Sequence, residues 1–359
     1  MNIPTNAHIK WIDGLKGILA LIVVLAHLRG AFSSVIDENL LLYTFPLAEL
    51  SNGTMAVAAF ICLSSIVMTF KCRDASAWQG ILLKRYFRLA LPICPIVLLY
   101  VLMWKEDLLF NNSLATIIDS PILNSTAPTS FKIVLKVILT TPFGYGDGYM
   151  FVFWMLGYIF ITPFVVVLLD IITENMSAKK VIIFTLFCTL ISLIVNPWFI
   201  NIFAGFLFAK FICEASNMRM NMRWLVLILL IALYIAIHFT ATYVRENMPN
   251  TTVFTHSVAT FKGIILVSIF MLSKQLQEIF SRRPVVWLGK ISFEIYLLHL
   301  IVIFSFGCWM YLRIPYFNHR MILIYVGVLL VSILLAWFWH GMVNKPIDRF
   351  LSKCLRRFT

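Results

Sequence analysis

Apolar residues along this chain gather in stretches of about 20, parted by short polar breaks. At about 1.5 Å of rise per residue, such a stretch in helical form crosses a hydrocarbon core of about 30 Å. The pattern predicts ten spanning helices, near 11–32, 53–70, 86–104, 149–169, 180–195, 198–213, 224–242, 254–273, 291–312 and 321–343. The fifth and sixth are the weakest, being short and divided only by "NPW". The first follows a brief polar lead, lacks a small-residue cleavage site and is too long for a signal-peptide core, so it is predicted to stay as a helix. The longest break, 105–148, holds Asn/Ser/Thr/Pro clusters, the amphipathic "FKIVLKVIL" and the turn-rich "TPFGYGDGY", and reads as a lid or binding loop. No internal repeat and no separate soluble domain stand out. The expected fold is therefore all-α: a polytopic helical bundle of about ten transmembrane helices, one domain over residues 1–359.

Composition sharpens this picture. Hydrophobic residues make up 61% of the 359 and charged residues 13%, with a mean hydropathy of +0.92. A soluble domain is nearer half apolar and a quarter charged. The formal net charge of +13 has two readings, attraction to a polyanion or the excess of Lys and Arg on cytoplasmic loops. With the N-terminus in the cytoplasm, twenty-one Lys and Arg residues fall on the cytoplasmic side of the ten spans and six on the other. That asymmetry places both termini in the cytoplasm and removes the case for nucleic acid. The seven Cys are scattered, with no C-x-x-C and no Cys/His cluster at ligand spacing, so neither a disulfide framework nor a metal site is expected.

Three polar constellations interrupt the apolar pattern. "WIDGLKGILALIVVLAHLRG" carries Asp13, Lys16 and His27 inside the first span, where a central charge costs about 2.5–3.5 kcal/mol on insertion scales. Lys16 and His27 differ by only about 20° around the helix and stand roughly 16 Å apart along it. With the core beginning near Gly14, His27 lies about 20 Å in, towards the outer side. Asp13 is one turn from Lys16 and able to pair with it. The competing structural reading has Asp13 and Lys16 reaching for the cytoplasmic interface while His27 bonds a neighbour.

The second constellation is "LKRYFRLALPICP". Arg85 and Arg88, three apart, project from one helical face at the cytoplasmic edge, where forked guanidinium groups suit phosphate oxygens. Basic residues flanking a span also serve simply as orientation signals. Pro92 and Pro95 are expected to kink this helix and open space beside it. The third is "GKISFEIYLLHLIV", which sets Ser292, Glu294, Tyr296 and His299 in or near the ninth span.

Together these segments resemble the membrane-bound acyltransferase 3 family, integral membrane enzymes that acylate sugars of cell-envelope glycans. "WIDGLKGILALIVVLAHL" is similar to the family's opening helix, with its Arg/Lys, ten residues, His pattern as Lys16 and His27. "FICLSSIVMTF" resembles the second-helix motif ending in Leu-Ser-Gly, with Ser64 in place and Ser65 where Gly is common. "RYFRL" matches Arg-x-x-Arg as Arg85 and Arg88. "GKISFEIYLLHL" resembles the late Ser-Tyr-x-x-Tyr-Leu-x-His segment, with Phe293 for the first Tyr. Two departures stand out: no clear Trp-x-Leu opens the fourth helix, and Asn344 precedes Lys-Pro where the family often has Glu.

The resemblance implies an O-acyltransferase, most commonly an O-acetyltransferase, of the bacterial cytoplasmic (inner) membrane. It uses acetyl-CoA or another acyl-CoA as donor substrate rather than as a permanently bound cofactor. The acceptor is a hydroxyl of a polysaccharide, lipopolysaccharide O-antigen or related envelope glycan. On that reading Arg85 and Arg88 hold acyl-CoA, His27 is the catalytic base and Lys16 assists it. Asp13, Ser64, Ser292, Tyr296 and His299 form a second tier. Direct transfer and an acyl-His27 intermediate are both open. The principal rival is a transporter or flippase for a glycan or lipid intermediate, since intramembrane charge also lines substrate paths. A different acyltransferase class, with His238 as its intramembrane histidine, is the second.

Overall fold

The computed structural model describes residues 9–35, 45–72, 78–120, 122–124, 130–144, 151–216, 220–247, 252–317 and 319–354. Among these residues every element of regular secondary structure is a helix, with no strand. In a bilayer this follows from the backbone: with no water to satisfy N–H and C=O groups, a spanning segment must satisfy them internally. In chain order the helices are α1 (Lys10–Ala31), α2 (Gly53–Cys72), α3 (Trp78–Lys105), α4 (Asn111–Ala115), α5 (Phe131–Thr140) and α6 (Trp154–Thr173). There follow α7 (Ala178–Val195), α8 (Ile200–Ser216), α9 (Met220–Asn247), α10 (Thr252–Leu272) and α11 (Lys274–Phe280). The last are α12 (Arg283–Lys290), α13 (Ser292–Val302), α14 (Cys308–Arg313), α15 (Arg320–Trp339) and α16 (Lys345–Cys354). Two π-helical segments, Ile303–Gly307 and His340–Asn344, join α13 to α14 and α15 to α16.

Among the described residues, nine helical stretches are long and apolar enough to cross a membrane. They coincide with nine of the ten expected spans. The expected sixth, 198–213, is the shorter apolar helix Pro197–Phe211, and the short Pro197–Phe199 turn separates it from α7. Pro197 explains the break, because it cannot donate to a continuing helix. The Asn196 side chain accepts from the Trp198 backbone N–H and caps the new start. The ends 149–150 of the expected fourth span and most of "GYGDGY" lie outside the described residues. Pro92 and Pro95 both sit inside the assigned length of α3.

The chain divides into two compact units. One comprises Met1–Leu15, Thr54–Leu82 and Ile161–Val286; the other comprises Lys16–Gly53, Leu83–Phe160 and Trp287–Thr359. In the first, α10 packs on α8 and α9. Gly205 of α8 and Gly263 of α10 bring both helices close to α2: a Cβ at Gly205 would fall 2.4 Å from the Cys62 carbonyl oxygen, and one at Gly263 2.8 Å from Ala59 N. Large apolar side chains such as Ile183, Leu190, Ile194, Ile228 and Leu229 are exposed on α7 and α9, as a lipid-facing surface requires.

In the second unit, α13 packs on α15, and α1 runs against the α12–α13 segment. A Cβ on Gly17 would come 2.7 Å from Gly289 N and 2.9 Å from the Leu288 carbonyl carbon, so the two backbones touch here. Neither of those atoms can swing aside as a side chain would. Gly17→Val is therefore expected to lower the melting temperature of detergent-purified protein, by overpacking of about 1–3 kcal/mol, and to reduce activity by separating the helices. Gly17→Ala should do the same to a smaller degree. A thermal-shift measurement beside an activity assay checks both.

Candidate active site

Ten residues beyond the Gly17–Gly289 contact, α1 presents His27 and α13 presents His299. Their rings meet with centroids 4.9 Å apart and planes tilted by 51°. The equal spacing from the glycine contact, 17 to 27 and 289 to 299, is what two side-by-side helices running in the same direction produce. His27 is half-buried and His299 fully buried. Phe151 closes one side of His27, with centroids 5.9 Å apart.

Each imidazole is fixed by its own helix. His27 Nδ1 donates to the Val23 carbonyl at 2.9 Å, and His299 Nδ1 donates to the Tyr296 carbonyl at 2.6 Å. A carbonyl oxygen only accepts, so in both neutral rings the proton sits on Nδ1 and Nε2 carries the lone pair. His299 Nε2 is buried without a hydrogen-bond partner. The Tyr296 hydroxyl donates to the Val152 carbonyl, beside Phe151, so the turn that holds His299 is anchored to the wall of His27. The arrangement sets two imidazoles, each with a lone pair on Nε2, side by side within a membrane-spanning part of the chain.

The segment between α3 and α6 reaches the same place. The Ser120 hydroxyl donates to the Gly30 carbonyl at 3.2 Å, one turn beyond His27, and Ile122 lies over Gly30. Phe110 N donates to the Phe304 carbonyl at 2.8 Å, one turn beyond His299. Ser120, Ile122 and Phe110 of the long polar break therefore lie against the end of α1 and the π-helical segment after α13, next to the histidines.

Lys16 is half-buried at the other end of α1, roughly 16 Å from His27 along the axis. Ser292 is buried, and its hydroxyl donates to the Gly289 carbonyl at 2.8 Å, capping the turn between α12 and α13. Arg85 is half-buried on α3. Arg88 is 60% exposed and engages Asp348 of α16 fork to fork, Nε to Oδ1 and Nη2 to Oδ2, both at 3.1 Å. Asp13 and Ser64 belong to the other unit. There Asp13 is half-buried and Ser64 buried, while the neighbouring Ser65 hydroxyl donates to the Ile202 carbonyl at 2.7 Å. His238 is in that unit too, its Nδ1 3.0 Å from Lys262 Nζ. The described residues contain no group of three or more His, Cys, Asp or Glu side chains able to hold a metal ion.

One feature went unread in the sequence. Glu294 is 2% exposed, and its Oε1 accepts from both His340 Nδ1 and Asn344 Nδ2, each at 2.5 Å. The π-helical turn His340–Asn344 brings the two donors onto one carboxylate. Asn344, which precedes Lys-Pro, thus supplies an amide donor to Glu294, a part an acceptor-only carboxylate side chain does not play.

The family profile for an acyltransferase domain matches residues 9–339, nearly the whole chain. The chain belongs to the acyltransferase 3 family. No curated protein and no solved structure is similar enough to match it. The protein is thus a multi-pass membrane acyltransferase, and the family match decides against the transporter reading. Within this acyltransferase the match spans both the His27 helix and the His299 helix, as well as the Arg85–Arg88 turn.

Proposed function

We propose that this acyltransferase moves an acyl group from cytoplasmic acyl-CoA, acetyl-CoA foremost, to a hydroxyl of a cell-envelope glycan across the bacterial inner membrane. Both termini face the cytoplasm in this reading, so α1 carries Lys16 at the entry and His27 towards the outer face. Arg85 and Arg88 bind the CoA phosphates at the cytoplasmic edge, where charge-assisted and bidentate contacts are strongest. The pantetheine arm reaches along α1 past Lys16, and the roughly 16 Å from Lys16 to His27 is comparable to its extended length. The acceptor hydroxyl approaches beneath the segment that covers Gly30.

The observation that carries the reading is the fixed tautomer of His27: Nδ1 is committed to the Val23 carbonyl, so Nε2 is the basic atom. As the hydroxyl oxygen attacks the thioester carbon, Nε2 takes its proton, and general-base help of this kind contributes about 10²–10⁴-fold. Mass spectrometry of surface polysaccharide from cells with and without the protein tests the function. A mass difference equal to one acyl group, lost with the gene, is the expected result, and fragmentation places it on a sugar hydroxyl. Identical glycans in the two strains would overturn the acceptor assignment.

Asp348 gives a second, smaller test. Its carboxylate occupies the Arg88 fork that a phosphate would need, so donor binding exchanges one anion for another. Asp348→Asn is expected to lower KM for acyl-CoA by up to about fivefold, since an exposed pair of this kind holds about 0.2–1 kcal/mol. Steady-state kinetics at low and high salt checks it, and the gain should shrink as salt rises.

A further inference from the structure

The site contains a second basic nitrogen that the proposed reaction has not yet used. His299 is fully buried, its Nδ1 is spent on the Tyr296 carbonyl, and its Nε2 has no hydrogen-bond partner. A buried polar atom left unsatisfied lowers stability, so such atoms in a folded protein call for an explanation. The ring that faces it is His27, 4.9 Å away between centroids. Because no direct hydrogen bond joins the two rings at His299 Nε2, a proton crosses between them through one water.

We propose that His299 is the second proton carrier of the acyl transfer, receiving the proton from His27 and delivering it to the departing thiolate. This rests on the acyl-CoA reading given above. The hydroxyl oxygen bonds to the acyl carbon and its proton moves to His27 Nε2. The carbon–sulfur bond breaks and its electron pair leaves on sulfur. The proton crosses to His299 Nε2 and then to that sulfur, so free CoA thiol departs and both imidazoles are neutral again. Nothing is consumed beyond donor and acceptor. The division also follows burial: the half-buried ring meets the incoming hydroxyl, and the fully buried ring keeps the proton from water until the thiolate takes it.

The test compares acetyl-CoA with its oxygen-ester analogue, in which the sulfur is replaced by oxygen. The alkoxide leaving group is far more basic than a thiolate and depends more heavily on protonation. In purified full-length enzyme, His299→Asn keeps a donor for the Tyr296 carbonyl and removes the proton acceptor. With acetyl-CoA, kcat is expected to fall by about 10–10³-fold while KM for the donor changes little. With the oxygen ester the loss should be at least about tenfold larger. An equal loss with both donors would mean that His299 serves only packing, and the proposal fails. If wild-type enzyme acylates no acceptor from acetyl-CoA, the donor reading itself fails, which is a separate result. A measurement on the wild-type protein guards against a variant that does not fold. In the nitrogen-15 spectrum of histidine-labelled enzyme, His299 should show a protonated Nδ1 and a bare Nε2. A resting His299 protonated on Nε2 would overturn the relay.

Discussion

Replacement of His27 by Ala is expected to abolish measurable acyl transfer, with kcat falling by about 10²–10⁴-fold if His27 acts as the general base. The protein should still insert, because the substitution removes a polar side chain from a span and lightens the cost of burying it. The Val23 carbonyl, which now accepts from His27 Nδ1, keeps its helical backbone bond. His27→Gln is the sharper variant: its amide has no group that takes a proton at neutral pH. It should be as inactive as Ala while filling more of the space beside Phe151 and His299. Full activity in either variant, with normal membrane insertion and melting temperature, would remove His27 from the chemistry. Loss of insertion in Ala with normal insertion in Gln would mark a packing role instead.

Much of the fold was legible because a lipid-facing helix writes its length into its composition. Nine of ten spans were readable from apolar runs alone, and the break at Pro197 was visible as "NPW". The first helix was also legible as a candidate site, since a charged or imidazole side chain within an apolar run has few reasons to be there. The pairings were not. His27 and His299 lie near opposite ends of the chain, and each taken alone is one histidine in one helix. Arg88 and Asp348 are 260 residues apart, and Glu294 is 46 from His340 and 50 from Asn344. Long-range contacts of this kind follow from helix order within the bundle, which periodicity does not encode. The π-helical turn at His340–Asn344 escaped for a related reason: it leaves the same apolar signature as an α-helix and differs only in which residues share a face. Gly17 is the instructive middle case. A glycine in a span carries no sign of what it faces, yet Gly17 sets the closeness of α1 to Gly289 and with it the meeting of the two histidines.

Exchange of Arg85 and Arg88 together for Ala is the second large effect. Each charge-assisted hydrogen bond contributes about 1.5–3 kcal/mol, and the loss of two phosphate partners should raise KM for acyl-CoA by roughly 10²-fold or more. If the pair holds the phosphate end of the donor, far from the thioester, the effect belongs in KM, and kcat at saturating donor should change much less. Lys at both positions restores the charge without the fork and is expected to recover part of the affinity, an intermediate result that simple orientation signalling does not produce. Arg88 also holds Asp348, an interaction between exposed side chains, so Arg88→Ala alone should cost little stability. Because Lys and Arg at span ends help to set orientation, the topology of the double variant is checked with a reporter at the C-terminus. A variant with native topology and unchanged KM would return the pair to the role of orientation signal and leave the donor phosphates to other residues. With native topology and a KM raised as expected, the cytoplasmic edge of α3 is the mouth of the donor path, and the distance from it to His27 is the length the acyl group travels.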